Sequence, residues 1–275
     1  MGPFEWNLDP EITQLFGVFP IKYYGLFFVT GILLAYQIAK HIFSAEKRPL
    51  EQLEKLSSYL IVGILVGMRL GHCLFYDFEY YSEHILEIFV PFQIINGTWH
   101  FTGFTGLASH GGSLGAIIAI FLFSRKYKAS ILWVLDHIAI VTPIVGAWIR
   151  LGNFMNSEIY GKPTHGNYGV IFMRDDMIPR HPTQLYEAFS YLLIFGLLWY
   201  LYKKTQLAKQ QGFLFGVLLS VLFLARLIIE FFKENQVSFE DSMTLNMGQL
   251  LSIPFILAGI LFIIYSKRKP KTEVL

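Results

Sequence analysis

The sequence predicts an all-α integral membrane protein that crosses the bilayer about seven times, with its N-terminus outside and its C-terminus in the cytoplasm. Three observations predict it. Charged residues make up only 15% of the 275-residue chain and hydrophobic residues 54%, at a mean hydropathy of +0.47; a soluble domain carries about a quarter charged residues. Seven apolar stretches approach the roughly 20 residues that a membrane helix needs. Lys and Arg are shared unequally between alternate loops.

The expected spans, in order, are 24–43, 57–78, 107–123, 132–154, 184–201, 213–232 and 247–265. The first opens at Tyr24. The second carries Arg69 and also Gly63, Gly67 and Gly71, a small-xxx-small spacing that lets helices approach closely. The third is the weakest, because His110, Gly111 and Gly112 sit in its first turn; Gly111, Gly112 and Gly115 read as packing positions. The fourth has Asp136 and His137 near one end and Arg150 and Asn153 near the other. The fifth begins with Gln184 and Glu187, the sixth ends with Arg226 and Glu230, and the seventh begins near Gln249. An eighth apolar run, 85–95, contains Pro91 and reads as an interfacial piece. The loops 79–105 and 156–183 are expected on the outer side as a small extracytoplasmic cap, with Trp6, Trp99, Tyr80 and Tyr81 in an outer aromatic belt. Residues 1–275 read as a single polytopic membrane domain. The acidic start, Glu5, Asp9 and Glu11, does not read as a cleavable signal peptide. Asn96-Gly97-Thr98 matches the glycosylation sequon, a match short enough to be chance.

Orientation follows from the loops. Fourteen Lys and Arg fall near 40–55, 125–128, 203–209 and 267–271, against five (Lys22, Lys162, Arg174, Arg180 and Lys233) on the other side. The remaining three, Arg69, Arg150 and Arg226, lie inside spans, where arginine is costly and rare without a role. Span direction then brings Tyr24, Arg69, His110, Arg150, Asn153, Gln184, Glu187, Arg226, Glu230 and Gln249 to the outer half of the membrane. Asp136 and His137 are exceptions. Long side chains near helix ends can snorkel to the headgroups, and Arg226 with Glu230 at i, i+4 can pair with itself. Snorkelling does not explain the clustered Asn, Gln, His and Glu, so the set is read as a polar cavity open to the outer leaflet.

The chain has no Gly-x-Ser-x-Gly elbow, no His-Glu-x-x-His zinc helix and no Walker loop. One cysteine, Cys73, excludes an internal disulfide and a multi-cysteine metal site; it reads as a packing residue. No basic cluster suggests nucleic acid, and no metal or cofactor is expected. What remains is arginine, which grips phosphate through two parallel hydrogen bonds, beside a histidine able to accept a proton near neutral pH. Chemistry on a phospholipid headgroup fits that set, and an anion transporter fits almost as well.

The end of the fourth span runs Ile149-Arg150-Leu151-Gly152-Asn153-Phe154-Met155-Asn156-Ser157-Glu158-Ile159-Tyr160-Gly161. It resembles the signature of the bacterial prolipoprotein diacylglyceryl transferases, Gly-Arg-x-Gly-Asn-Phe-x-Asn-x-Glu-x-x-Gly, with Ile149 in place of the first glycine. Further blocks are similar to that family: Lys22-Tyr23-Tyr24-Gly25, Ser109-His110-Gly111-Gly112, Arg180-His181-Pro182-Thr183-Gln184-Leu185-Tyr186-Glu187, Arg226 with Glu230-Phe231-Phe232, and Met247-Gly248-Gln249. Leu222 stands where some members carry a tyrosine.

The resemblance implies transfer of the sn-1,2-diacylglyceryl group of phosphatidylglycerol to the lipobox cysteine of a prolipoprotein signal peptide, as the first step of lipoprotein maturation. A thioether forms and glycerol phosphate leaves, at the outer leaflet of the bacterial plasma (inner) membrane. The implied partners are phosphatidylglycerol, the prolipoprotein and membrane lipids. On this reading Arg150 and Arg226 stabilise charge on the leaving phosphate with Asn153 as a neutral donor, and Gly161 belongs to the phosphatidylglycerol site. His110 accepts or steers the thiol proton and Tyr24 orients the glycerol. Glu158 and Glu230 orient the arginines, with Arg69, Gln184 and Glu187 in support. A transporter or scramblase, or an inactive scaffold, is the alternative; neither would release glycerol phosphate.

Overall fold

A computed structural model describes residues 2–15, 19–95, 97–101, 106–166, 168–234, 240 and 243–268. In chain order the elements are β1 (Phe4–Trp6), β2 (Glu11–Leu15), β3 (Phe19–Lys22), α1 (Tyr23–Ala45), α2 (Leu50–Phe75), α3 (Phe78–Glu83), α4 (Ile85–Phe89), β4 (Phe92–Ile95), β5 (Thr98–Phe101), α5 (Ser109–Tyr127), α6 (Ile131–Met155), β6 (Val170–Phe172), β7 (Pro179–Arg180), α7 (Thr183–Lys204), α8 (Phe213–Ile229) and α9 (Met247–Arg268). The chain is an all-α, multi-pass membrane protein. Among the described residues six helices are long and apolar enough to cross a membrane: α1, α2, α6, α7, α8 with the 3₁₀ turn that follows it, and α9. The third expected span, α5, is a helix of 19 residues but is not among the six. His110, its glycines and Arg125 and Lys126 dilute its apolar character.

Most of the expected boundaries fall inside the corresponding helices; the expected end of the second span at 78 and start of the third at 107 fall outside them. The second helix begins at Leu50 rather than at 57, directly after Pro49, because a charged start carrying Glu51, Glu54 and Lys55 is invisible to an apolar window. It stops at Phe75, and the chain turns before α3. The interfacial piece 85–95 is helical only to Phe89; its second half, β4, pairs antiparallel with β5. The remaining strands were not expected either. β1 pairs parallel with β6, which pairs antiparallel with β7, and β2 pairs antiparallel with β3. Strands of two to five residues are too short to show an alternating pattern. Asn96 of the sequon lies outside the described residues.

The chain divides into two compact units, Met1–Ile42 with Leu135–Leu275, and Phe43–Val134. In the first, α6, α7 and α8 contribute Ile140, Ala147, Leu198 and Leu214 to a core sealed from the surroundings. Helices α8 and α9 approach through glycine: a Cβ on Gly216 would fall 2.8 Å from the Gly259 carbonyl oxygen. Two of the polar residues picked out from the sequence are helix caps here. Asp136 accepts the backbone N–H groups of Gly212 at 2.6 Å and Phe215 at 2.8 Å, which satisfies donors left open at the start of α8. Gln249 accepts the Asn246 N–H at 3.0 Å while Asn246 accepts the Gln249 N–H at 2.9 Å, a reciprocal capping box. Trp6, expected in an aromatic belt, packs on Phe154 at 4.6 Å between ring centres.

In the second unit α2 and α5 cross at glycine contact. A Cβ on Gly71 would lie 2.7 Å from Gly111 Cα, and one on Gly67 or Gly111 would collide with the other's carbonyl oxygen. These glycines therefore pack, as their spacing suggests. Cys73 is buried in the same unit.

Candidate active site

The end of α6 builds one wall of the first unit's polar site. Gly152 has no side chain, and a Cβ there would sit 3.0 Å from the Tyr24 ring; the ring is thus laid on the helix one residue before Asn153. Asn153 Oδ1 accepts a hydrogen bond from Arg150 Nη1 at 3.1 Å, and its Nδ2 donates to Glu158 Oε1 at 2.8 Å. One amide therefore links the arginine to the carboxylate that follows the helix. After Met155 the backbone turns through left-handed residues at Ser157 (φ 55°) and Ile159 (φ 57°), a costly conformation for a β-branched side chain. The start of α7 holds that turn: Thr183 Oγ1 donates to the Ile159 carbonyl at 3.1 Å and Gln184 Nε2 to the Glu158 carbonyl at 2.7 Å.

Helix α7 supplies Glu187, 1% exposed. Its Oε2 lies 2.6 Å from Arg150 Nε, and its Oε1 accepts from Lys233 Nζ at 2.9 Å. Lys233 Nζ also lies 3.7 Å from Glu230 Oε2. A continuous ionic chain thus runs Arg150, Glu187, Lys233, Glu230. The Glu230 carboxylate occupies the space above Gly248, where a Cβ would fall 2.5 Å from Glu230 Cδ. Tyr191, one turn after Glu187, hydrogen-bonds Arg150 and feels the charge of Arg226. Gly161 pairs with Lys233 through the backbone and is too tightly packed on Phe232, Thr183 and His181 for a side chain.

Arg226 differs from its neighbours. Its Nε is buried without a hydrogen-bond acceptor. Among the described residues no carboxylate pairs with it, so the i, i+4 pair with Glu230 does not form.

The structure brings Tyr24, Arg150, Asn153, Glu158, Gly161, Gln184, Glu187, Arg226 and Glu230 into one polar region of the first unit. Some details differ from expectation. Glu187 contacts Arg150 directly, whereas Glu158 reaches it through Asn153. Glu230 faces Lys233 rather than Arg226. Lys233 and Tyr191 were missed. Lys233 was counted among loop cations, yet its i, i+3 spacing from Glu230 places it on the same side of the turn. Tyr191 follows Glu187 at i, i+4, the spacing of neighbours on a helix face.

His110 and Arg69 belong to the second unit. His110 is exposed in the first turn of α5. Arg69 is buried and donates to the Glu87 carbonyl at 2.5 Å and the Ile88 carbonyl at 3.1 Å. It also lies over the Tyr81 ring at 4.8 Å. It ties α4 to α2. Glu87 Oε2 accepts from the Tyr80 hydroxyl at 2.7 Å, and this bond with the adjacent carboxylate pushes the Tyr80 pKa up to about 12.

Fold and site together define a multi-pass membrane protein with a buried chain of arginine, glutamate and lysine among its helices. Residues 10–265 match the family model of the prolipoprotein diacylglyceryl transferases. A phosphatidylglycerol–prolipoprotein diacylglyceryl transferase of Bacteroides fragilis is 48% identical over 266 residues, 96% of each chain. The enzyme of that name from Tolumonas auensis is 48% identical over 265 residues, 96% of this chain and 98% of its own. That from Chloroherpeton thalassium is 41% identical over 269, 98% and 96% respectively. The chain belongs to the prolipoprotein diacylglyceryl transferase family.

Proposed function

We propose that this protein transfers the diacylglyceryl group of phosphatidylglycerol to the lipobox cysteine thiol of prolipoproteins, the first step of lipoprotein maturation. It does so as a single polytopic domain with seven spans, at the outer leaflet of the bacterial inner membrane. Family membership supports the reaction, and the buried, unaccepted Nε of Arg226 is the observation that carries the site. A buried N–H group without an acceptor is costly. A phosphate oxygen supplies the acceptor.

In the reaction the thiolate sulfur attacks the glycerol carbon, because the thiolate is the nucleophile. The carbon–oxygen bond to phosphate breaks, and glycerol phosphate leaves with the bonding pair. Charge grows on the leaving oxygen, and donors aimed there stabilise the transition state beyond the ground state. Arg226 is the cation with open capacity. Arg150 is held in place by Glu187, Asn153 and Tyr191 and presents a fixed guanidinium face. Lys233 offsets Glu187 and Glu230, so these carboxylates orient the cations without repelling the phosphate unopposed. Tyr24 orients the glycerol and His110 receives the thiol proton.

The test uses protein in detergent, phosphatidylglycerol and a lipobox peptide, with glycerol phosphate release and peptide mass as readouts. A diacylglyceryl mass gain on the cysteine, lost in Arg150→Ala and Arg226→Ala, is the expected result. Folded, lipid-binding protein that gives no mass gain overturns the reading.

A further inference from the structure

We propose that Arg180 is a positioning residue for this reaction: it clamps the end of the α6 signature turn to Glu234, so that the adjacent Lys233 holds Glu187 against Arg150. The inference rests on the transferase reading.

Residues 161–163 run between two segments. On one side the Gly161 N–H donates to the His181 carbonyl at 2.8 Å and the His181 N–H to the Lys162 carbonyl at 3.1 Å. On the other, the Lys162 N–H donates to the Phe232 carbonyl at 2.8 Å. Two segments far apart in sequence, 180–181 and 232–233, therefore both pair through the backbone with the strip that ends the signature, and the His181 ring also packs on Phe232 at 5.1 Å between ring centres. The Arg180 side chain spans all three. Its Nε and Nη2 donate to Asp176 Oδ2 at 2.8 and 2.6 Å, and its Nη1 to Glu234 Oε1 at 2.7 Å and the Gly161 carbonyl at 3.4 Å. The guanidinium lies 4.9 Å over the Tyr160 ring. Its side chain is 13% exposed, while that of Glu234 is 45% exposed. Among the described residues no other hydrogen bond or ion pair holds the Glu234 carboxylate. Lys233 next to it must keep Nζ within 2.9 Å of Glu187 Oε1. If Lys233 drifts, both Glu187 oxygens become available to Arg150, and the guanidinium turns from the phosphate toward its carboxylate. That costs rate more than substrate binding. The geometry needs a planar fork, which lysine lacks.

The experiment compares wild type with Arg180→Met, Arg180→Lys, Glu234→Gln and the Arg180→Met/Glu234→Gln double variant, in transfer kinetics per folded protein and in backbone hydrogen exchange. Arg180→Met should lower kcat about tenfold with both KM values within about twofold. Arg180→Lys should recover little of that loss. The double variant should be no slower than Arg180→Met, since both remove one link. Exchange should accelerate at Gly161 and Lys162 and leave α8 unchanged. Wild-type kcat in Arg180→Met, losses that multiply in the double variant, or unchanged exchange at Lys162 would each overturn the clamp. A variant that only melts earlier, with full kcat per folded molecule, also overturns it. If the wild type itself transfers nothing, the transferase reading fails, and the exchange data still decide whether the clamp exists.

Discussion

Arg150 and Arg226 both lie within spans, yet the Nε of Arg150 has a partner and the Nε of Arg226 has none. Arg150 has Glu187 at 2.6 Å and Asn153 at 3.1 Å, whereas Arg226 Nε has no acceptor. A lysine at either position keeps charge and loses the planar fork. The two replacements should therefore differ. Arg226→Lys should lower kcat/KM by about ten- to a hundredfold, the worth of one or two charge-assisted hydrogen bonds, with little change in thermal stability. Full activity in Arg226→Lys would sink the phosphate role. Gly248 makes a second prediction at this scale. A methyl group there would fall 2.5 Å from Glu230 Cδ, but that carboxylate ends a flexible side chain and can swing away. Gly248→Ala should leave the fold intact and reduce activity, because Glu230 leaves Lys233; melting temperature measured beside turnover separates the two effects. His110 is exposed on α5, and His110→Gln keeps a hydrogen-bonding side chain without basicity. Wild-type-like turnover of that variant across pH would exclude it as the base.

Among the elements, the segment between α6 and α7 carries the strained turn at Ser157 and Ile159 and the clamp around Arg180. Two groups there titrate with the same sign. Hydrogen bonds from Arg180 hold the Asp176 carboxyl below its usual range, and burial lowers the His181 pKa. Both folded pKa values lie below the unfolded ones, so each contribution is present above the unfolded pKa and is lost as pH falls. Protection of this segment should weaken in two stages, first below about pH 6.5 and then below about pH 4. Hydrogen exchange over that range reads it directly; an Asp176→Asn variant should lack the second stage. The crossing of α2 and α5 offers a contrast, since its contacts are backbone against backbone. Gly111→Val would drive a side chain into the Gly67 carbonyl and should destabilise strongly at every pH. The spacing of these glycines made that packing legible in the sequence. Helix existence was legible too, because lipid leaves a composition signal. The start of α2 at Leu50 and the strands were not, since charged helix turns and strands of a few residues carry no apolar period. Lys233 was illegible for another reason: a basic residue after a span looks solvated, and only the turn that folds it back onto Glu187 shows otherwise.

For the molecule as a whole, the charge asymmetry of fourteen loop cations against five is the argument for the proposed orientation, and it predicts which leaflet supplies the lipid. Positive charge near span ends is retained on the cytoplasmic side. The five cations on the sparse side include Arg180 and Lys233, which are both committed to ion pairs, so the free charge there is lower still than the count. This strengthens the asymmetry, because a buried, paired lysine is not a loop charge. Orientation is testable through the lone cysteine. Cys73 is buried, so Cys73→Ala gives a background for single cysteines at Lys162 and Lys204, both exposed. Lys162 gives up only one hydrogen bond, 3.3 Å to the Phe231 carbonyl, and Lys204 closes α7. In intact bacterial spheroplasts an impermeant maleimide should label Lys162→Cys and spare Lys204→Cys, and permeabilisation should make both reactive. The reverse pattern would turn the site toward the cytoplasm. A prolipoprotein cysteine delivered across the membrane could then not reach Arg150 and Arg226, and the outer-leaflet assignment would fall even if transfer in detergent survived.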